Sequence, residues 1–191
     1  MAVGPRYSAA LAFASELHGS QLRKGTAVPY IAHLLSVSAL VLEAGGDEDA
    51  AIAALLHDAV EDQGGRPMLD RIRARFGDGV ADIVAACTDA EVTPKPPWRQ
   101  RKEAYLASIP HKPAPALLVS IADKVHNAGA ILRDYTQLGE AVWARFAGGR
   151  EGTLWYYRSL SDAFRDRAPQ PLWELLEERV AALEARARTA G

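Results

Sequence analysis

The sequence contains very little cysteine and no strong excess of charge of either sign. Cys87 is the only cysteine among the 191 residues, which excludes an internal disulfide and a cysteine-rich zinc site. Lysine and arginine number 22 and aspartate and glutamate 24, so the net charge of −2 gives no electrostatic reason to expect nucleic-acid binding. Because a single thiol is compatible with a reducing compartment, we expect a cytoplasmic protein.

Long hydrophobic runs and strand-like alternation are also missing. No apolar run approaches the roughly 20 residues of a membrane span, and residues 1–6 lack the basic start and apolar stretch of a signal peptide. We therefore expect no membrane partner. Hydrophobic residues still make up 49% of the chain, enough for a substantial core. We expect an all-α fold in a single domain spanning residues 1–191.

Apolar spacing and helix-breaking residues divide the chain into predicted helices. Glycine pairs at 45–46 and 64–65 end helical segments, and the proline-rich stretch 93–97 is predicted to be a loop. Asp47 is a good N-cap for the helix that follows it. The predicted helices cover residues 7–18, 29–43, 47–58, 67–76, 78–87, 98–109, 113–135, 149–165 and 171–186.

The pair His57-Asp58 stands at the end of an apolar run, residues 50–56, and is followed closely by Glu61 and Asp62. Each ionised carboxylate in a buried helix costs several kcal/mol unless a cation compensates it. Either a divalent metal is bound here or the helix ends with its acids in water. If the helix continued through Glu61, His57 and Glu61 would share one face, one turn apart.

His33 and Asp123 extend this pair into a mixed set of nitrogen and oxygen donors. His33 lies in the first turn of the second predicted helix, and Asp123 follows another largely apolar stretch. The spacing is not that of a short zinc motif, but imidazole and carboxylate without thiolate suit Mn²⁺, Zn²⁺ or Fe²⁺ with open positions for water and substrate. His126 is interpreted as structural.

Three basic residues, Arg99, Arg101 and Lys102, begin the helix predicted at 98–109. Positive side chains at a helix N-terminus oppose the helix dipole. They are therefore either solvated or present to bind an anion.

Several short segments follow one another in a recognisable order. They are HGSQLRK at 18–24, PYIAH at 29–33, AALLHDAVED at 53–62, FG at 76–77 with VADIV at 80–84, and IADKVHN at 121–127. Together they resemble the HD-type hydrolase domain of the RelA/SpoT alarmone enzymes. The resemblance runs from residue 7 to about 135, with two more predicted helices at about 149–186, and implies an HD-domain helical bundle.

The resemblance also implies an activity and a site. The activity is that of a stand-alone alarmone hydrolase, which removes pyrophosphate from the 3′ position of ppGpp and pppGpp. Mn²⁺, or another divalent metal, would be held by residues that match the family's ligands: His33, His57, Asp58 and Asp123. Two acids, Glu61 and Asp62, would handle the attacking water. The implied substrate contacts are Arg23, stacked on guanine, with Lys24 and Asn127. Given a nucleotide substrate, we further expect the basic residues at 99, 101 and 102 to meet the 5′-phosphates.

The chain departs from the family pattern at three places, one of which is the loop between Lys24 and Pro29, whose length varies among relatives. Leu34 replaces the usual proline, and residues 128–130 replace larger or polar residues that shape the base pocket in relatives. Adenine analogues and other 3′-phosphorylated nucleotides are therefore alternative substrates. Another HD-type phosphohydrolase, acting on a monophosphate, a deoxynucleotide or a cyclic nucleotide, and a non-catalytic alarmone sensor also remain open, as does the formation of a homo-oligomer.

Overall fold

The computed structural model describes residues 3–88 and 96–189. Its helices are α1 (Pro5–Leu17), α2 (Ile31–Glu43), α3 (Glu48–Leu56), α4 (Ala59–Gln63), α5 (Arg66–Phe76), α6 (Asp78–Cys87), α7 (Trp98–Ser108), α8 (Ala114–Leu138), α9 (Gly149–Phe164) and α10 (Gln170–Thr189), with 3₁₀ segments at Ile109–His111 and Gly139–Arg145. Within these residues the only β-type pairing is an isolated antiparallel bridge between Leu22 and Pro29. The predicted all-α fold is confirmed.

Helix α3 lies at the centre of the core. Every residue from 50 to 56 is buried, and α1, α2, α6 and α8 all contact this helix. The Asp47 side chain caps its N-terminus by accepting a hydrogen bond from the Ala50 amide at 2.8 Å, as the sequence predicts. His57 directly follows the last turn of α3. Because α3 is enclosed by other helices, His57 is also buried in the interior.

The chain turns after α3, so the helix does not continue unbroken through Glu61. Helix α3 ends at Leu56 and α4 begins at Ala59. The His57 ring donates from Nδ1 to the Ala54 carbonyl at 2.8 Å, which is the carbonyl that the residue 58 amide would use in a continuing helix. The His57 side chain therefore competes with the residue 58 amide for the Ala54 carbonyl. Asp58 and Asp62 nevertheless lie one helical turn apart, because the Asp62 amide donates to the Asp58 carbonyl at 3.0 Å.

Backbone hydrogen bonds connect the two ends of the loop between α1 and α2. Helix α2 begins at Ile31, two residues after the predicted start at Pro29. The Arg23 amide donates to the Val28 carbonyl and the Tyr30 amide to the Gln21 carbonyl, both at 2.8 Å. These bonds fix Arg23 at the mouth of the loop.

The remaining helices follow the predicted positions with shifted ends. Helix α8 extends three residues beyond the expected end at Tyr135, and α10 runs to Thr189 rather than Arg186. Of the predicted loop at 93–97, residues 96 and 97 are non-helical, whereas residues 93–95 lie outside the described residues.

The C-terminal helix α10 packs against both α8 and α9. Arg158 of α9 pairs with Glu177 at 2.7 Å and with Glu184 at 2.9 Å, both on α10. Throughout the part of the chain that the structure describes, no helix is both long enough and apolar enough to cross a bilayer.

Candidate metal centre and adjoining cavities

Three helical elements bring His33, His57, Asp58 and Asp123 together. His33 comes from the first turn of α2, the pair at 57–58 from the turn after α3, and Asp123 from the middle of α8. His33 Nε2 lies 3.3 Å from Asp123 Oδ1 and 3.6 Å from Asp58 Oδ2. His57 Nε2 lies 3.2 Å from Asp58 Oδ2 and 3.7 Å from Asp123 Oδ1. Asp58 is half-buried and the other three side chains are buried.

The two imidazoles present their Nε2 atoms to the carboxylates. Within residues 3–88 and 96–189, both Nε2 atoms are buried and have no hydrogen-bond partner. Their Nδ1 atoms are engaged: that of His57 with the Ala54 carbonyl, and that of His33 with His126 Nδ1 at 2.8 Å. Metal-binding histidines are typically oriented in this way, with the second ring nitrogen held by a hydrogen bond. Ligand atoms of His33, His57 and Asp58 all lie within 4.8 Å of one another. These residues therefore fit a divalent metal.

The charges of the centre favour a cation. Burial alone would lower the pKa of His57, but the Asp58 and Asp123 carboxylates raise that pKa well above its usual value. Burial alone would raise the pKa of Asp58, but His57 and His33 hold it well below its usual range. The pKa of Asp123 is also held low against burial, first of all by Lys124. Two ionised carboxylates thus share a buried centre, and a metal ion would replace the proton on His57 as their counter-charge.

His126, which the sequence analysis interprets as structural, contacts a candidate ligand. If His33 offers a bare Nε2 to a metal, its Nδ1 carries the hydrogen, and His126 Nδ1 accepts it. Burial, together with the nearby His33 and Arg23, lowers the pKa of His126 to about 3, so this ring is neutral. The i, i+3 spacing from Asp123 on α8 is the signal that could have identified it.

Three further contacts to the carboxylates were not predicted. The Tyr30 hydroxyl donates to Asp58 Oδ2 at 2.5 Å, and Lys124 Nζ lies 2.6 Å from Asp123 Oδ2. Asn127 Nδ2 donates to Asp123 Oδ1 at 2.5 Å. Each carboxylate is therefore held in place by a neighbouring polar side chain.

A cavity of about 550 Å³ opens beside His33. Three predicted substrate residues, Arg23, Lys24 and Asn127, line it. Arg23 Nη2 donates to Asn127 Oδ1 at 2.6 Å, and its guanidinium carbon lies 5.7 Å from the Tyr30 ring centroid. The other lining residues, which the sequence analysis did not identify, include Arg133, Asp134, Arg145, Phe146 and Tyr157.

A smaller cavity of about 180 Å³ also adjoins the centre. Glu61, Lys102 and Lys124 line it together with three of the candidate ligands, His57, Asp58 and Asp123. Tyr30 and Asn127 line both cavities, so the centre adjoins both.

The other predicted residues lie elsewhere. Asp62 is exposed and accepts a hydrogen bond from Gln21 at 2.7 Å. Arg99 covers the Trp155 ring, with its guanidinium carbon 3.2 Å from the centroid, and bonds to Glu103 at 2.7 Å. Arg101 donates to the Pro96 carbonyl at 3.2 Å. Neither arginine lines the two cavities, and a role for them in binding 5′-phosphates stays a prediction.

Known proteins share this arrangement of helices. Residues 10–154 match the protein family described as HD domain. The chain is 38% identical over 135 residues to guanosine-3′,5′-bis(diphosphate) 3′-pyrophosphohydrolase MESH1 of Xenopus tropicalis, covering 69% of this chain and 70% of that protein. The human protein of the same name is 35% identical over 135 residues, with the same coverage. A solved structure described as a metazoan orthologue of SpoT that hydrolyses ppGpp is similar with a TM-score of 0.77 and 26% identity, covering 94% of this chain and 96% of that one.

Proposed function

Because this chain belongs to the HD domain family, we propose that it is a metal-dependent hydrolase that converts guanosine 3′,5′-bis(diphosphate) and water into GDP and pyrophosphate. The observation that carries the proposal is a histidine–aspartate centre that adjoins two cavities, each lined by basic side chains. A nucleotide with diphosphates on two ribose positions needs positive charge on more than one side of the bond that breaks.

The proposed metal is Mn²⁺, which suits a ligand set of two imidazoles and two carboxylates. His33 and His57 would bind it through Nε2, because both Nδ1 atoms are engaged. Asp58 and Asp123 would each supply a carboxylate oxygen. When bound, a divalent ion at such a site polarises phosphoryl oxygens and makes water more acidic.

Glu61 is the group that we assign to proton transfer. In the reaction a water oxygen bonds to the phosphorus next to the ribose, and the bond from that phosphorus to the ribose 3′-oxygen breaks. The water loses a proton and the 3′-oxygen gains one. Glu61 lines the small cavity beside His57 and Asp58, where its carboxylate can accept the first proton and return it. Asp62 is the second proposed acid–base group.

The larger cavity is the proposed position of the nucleoside and its 5′-diphosphate. The planar guanidinium of Arg23 can stack on a purine face, and Lys24, Arg133 and Arg145 supply positive charge around it. The 3′-diphosphate would extend toward the small cavity, where Lys102 and Lys124 lie. In this arrangement Lys102 would meet the 3′-diphosphate rather than the 5′-phosphates expected from the sequence.

The test is product analysis with purified protein, Mn²⁺ and a nucleotide panel. We expect pyrophosphate and GDP from guanosine 3′,5′-bis(diphosphate), and faster turnover on it than on the adenine analogue, 3′-monophosphates, deoxynucleotides or cyclic nucleotides. Faster turnover of one of those nucleotides would show that it, and not the bis(diphosphate), is the preferred substrate. Tight binding of the bis(diphosphate) without cleavage would instead indicate a sensor and contradict the proposed hydrolysis.

A further inference from the structure

The backbone of Gln21, in the loop between α1 and α2, makes two hydrogen bonds. Its amide donates to the His18 carbonyl at 3.0 Å, and its carbonyl accepts from the Tyr30 amide at 2.8 Å. The hydroxyl of the same Tyr30 bonds to Asp58. The backbone of Gln21 is therefore tied to the residue that contacts a candidate metal ligand.

The side chain of Gln21 has three partners. Nε2 lies 2.7 Å from Asp62 Oδ2, and Oε1 lies 2.7 Å from His18 Nδ1 and 3.1 Å from Gln63 Nε2. An ionised carboxylate only accepts hydrogen bonds, so the amide nitrogen must face Asp62 and the amide oxygen must face His18. His18 Nδ1 must then donate.

His18 anchors this arrangement in the core. Its side chain is 1% exposed and its ring stacks on Tyr30, with centroids 5.3 Å apart and planes 22° from parallel. A buried, stacked imidazole has few rotamers available to it. Its hydrogen bond to the Gln21 amide oxygen therefore fixes the orientation of that amide.

Asp62, in contrast, is exposed at the end of a five-residue helix. An exposed aspartate samples several side-chain rotamers unless a partner selects one. The hydrogen bond from Gln21 is a side-chain contact that selects one for Asp62. Since Gln21 comes two residues before Arg23, the same loop presents both the proposed base contact and the partner of the proposed acid.

We propose that Gln21 is a positioning residue, which holds the Asp62 carboxylate in the orientation that hydrolysis requires. The inference rests on the proposed function, in which Asp62 takes part in proton transfer. The side-chain hydrogen bonds of Gln21 go to His18, Asp62 and Gln63, none of which is a candidate metal ligand or lines either cavity.

Two substitutions separate positioning from a merely structural role. Gln21→Leu removes all three side-chain bonds. Gln21→Glu keeps the size and the oxygen that faces His18 and Gln63, but it loses the donor to Asp62. We expect both variants to lower kcat about tenfold while KM and metal content stay within about twofold of wild type. If Gln21→Glu keeps the wild-type kcat while Gln21→Leu does not, the bonds to His18 and Gln63 are sufficient for activity. The hydrogen bond to Asp62 would then have no role, and the proposal would be wrong.

A double-mutant cycle tests whether Gln21 acts through Asp62. With Asp62→Ala already present, we expect Gln21→Leu to lower kcat no further. Equal losses in the presence and absence of Asp62 would overturn the proposal.

A measurement without turnover keeps the inference separate from the proposed function. Three-bond couplings measured by NMR report the χ1 rotamer of Asp62. We expect one dominant rotamer in the wild type and averaged couplings in Gln21→Leu. A wild-type protein that cleaves no nucleotide would refute the proposed function, whereas an unaltered Asp62 rotamer in Gln21→Leu would refute the role of Gln21.

Discussion

The histidine–aspartate centre and the larger cavity next to it present different charged side chains. The centre gathers two carboxylates in the core, whereas the cavity is lined by Arg23, Lys24, Arg133 and Arg145. Among the described residues of that lining the only carboxylate is Asp134, and it pairs with Arg145 at 2.7 Å. One region is built for a cation and the other for an anion. Substitutions in the two regions should therefore change different measurable quantities.

The largest effect is expected at the centre itself. Asp58→Ala removes a proposed ligand, so it should lose bound metal and lower kcat/KM by on the order of 10³-fold or more. Metal analysis and a thermal-unfolding scan with and without Mn²⁺ check this. Because a ligand that binds only the folded state raises Tm, Mn²⁺ should stabilise the wild type and not the variant. Asp70→Ala, at an exposed aspartate on α5, is the matched control. Retained metal in Asp58→Ala would contradict the assignment.

The next largest effect should separate chemistry from binding. Glu61→Gln keeps the size of the side chain and removes the base, so kcat should fall by roughly 10²–10⁴-fold. Metal content and the Kd for substrate should stay near their wild-type values. Single-turnover kinetics with equilibrium binding check both. An unchanged single-turnover rate would exclude Glu61 from proton transfer.

The contact between His126 and His33 predicts an effect on metal affinity. His126→Leu removes the acceptor that orients His33, and metal should bind about 10–100-fold more weakly. His126→Asn places an amide oxygen near the position of Nδ1 and should recover most of the affinity. Metal titration by calorimetry gives the comparison. Equal affinities for the leucine and asparagine variants would argue against the hydrogen bond as the cause.

The smallest of these effects is expected in the larger cavity. Arg23→Ala should raise KM about tenfold through lost stacking, with metal content intact. Arg23→Lys should not restore KM, because an ammonium group cannot stack as a planar guanidinium does. Arg66→Ala, at an exposed arginine on α5, serves as the control. Wild-type KM in both Arg23 variants would remove this residue from substrate binding.

The four candidate metal ligands could be predicted from the sequence more completely than the residues that contact them or line the cavities. The apolar run at 50–56 predicts a buried helix, and the structure has α3 there with its expected cap at Asp47. The motifs around His33 and Asp123 predict that these side chains meet, and the structure brings them to 3.3 Å. The meeting of these side chains could be predicted because the ordered motifs resemble those of a known family, since the spacing of the residues along the chain does not by itself predict a metal site.

The features that were missed depend on contacts between distant segments or between side chain and backbone. The break after Leu56 accompanies a bond from the His57 ring to the Ala54 carbonyl, which no hydrophobic pattern encodes. Arg145, from a 3₁₀ segment, joins the cavity only because that segment packs beside α8. Arg99 points instead to Trp155, more than fifty residues later in the chain.

The most direct test of the central claim is metal removal and return on the wild-type protein. After complete chelation and dialysis, pyrophosphate release from guanosine 3′,5′-bis(diphosphate) should be abolished, and added Mn²⁺ should restore it in proportion to the metal bound, up to one ion per chain. Full activity of the metal-free protein would contradict the account.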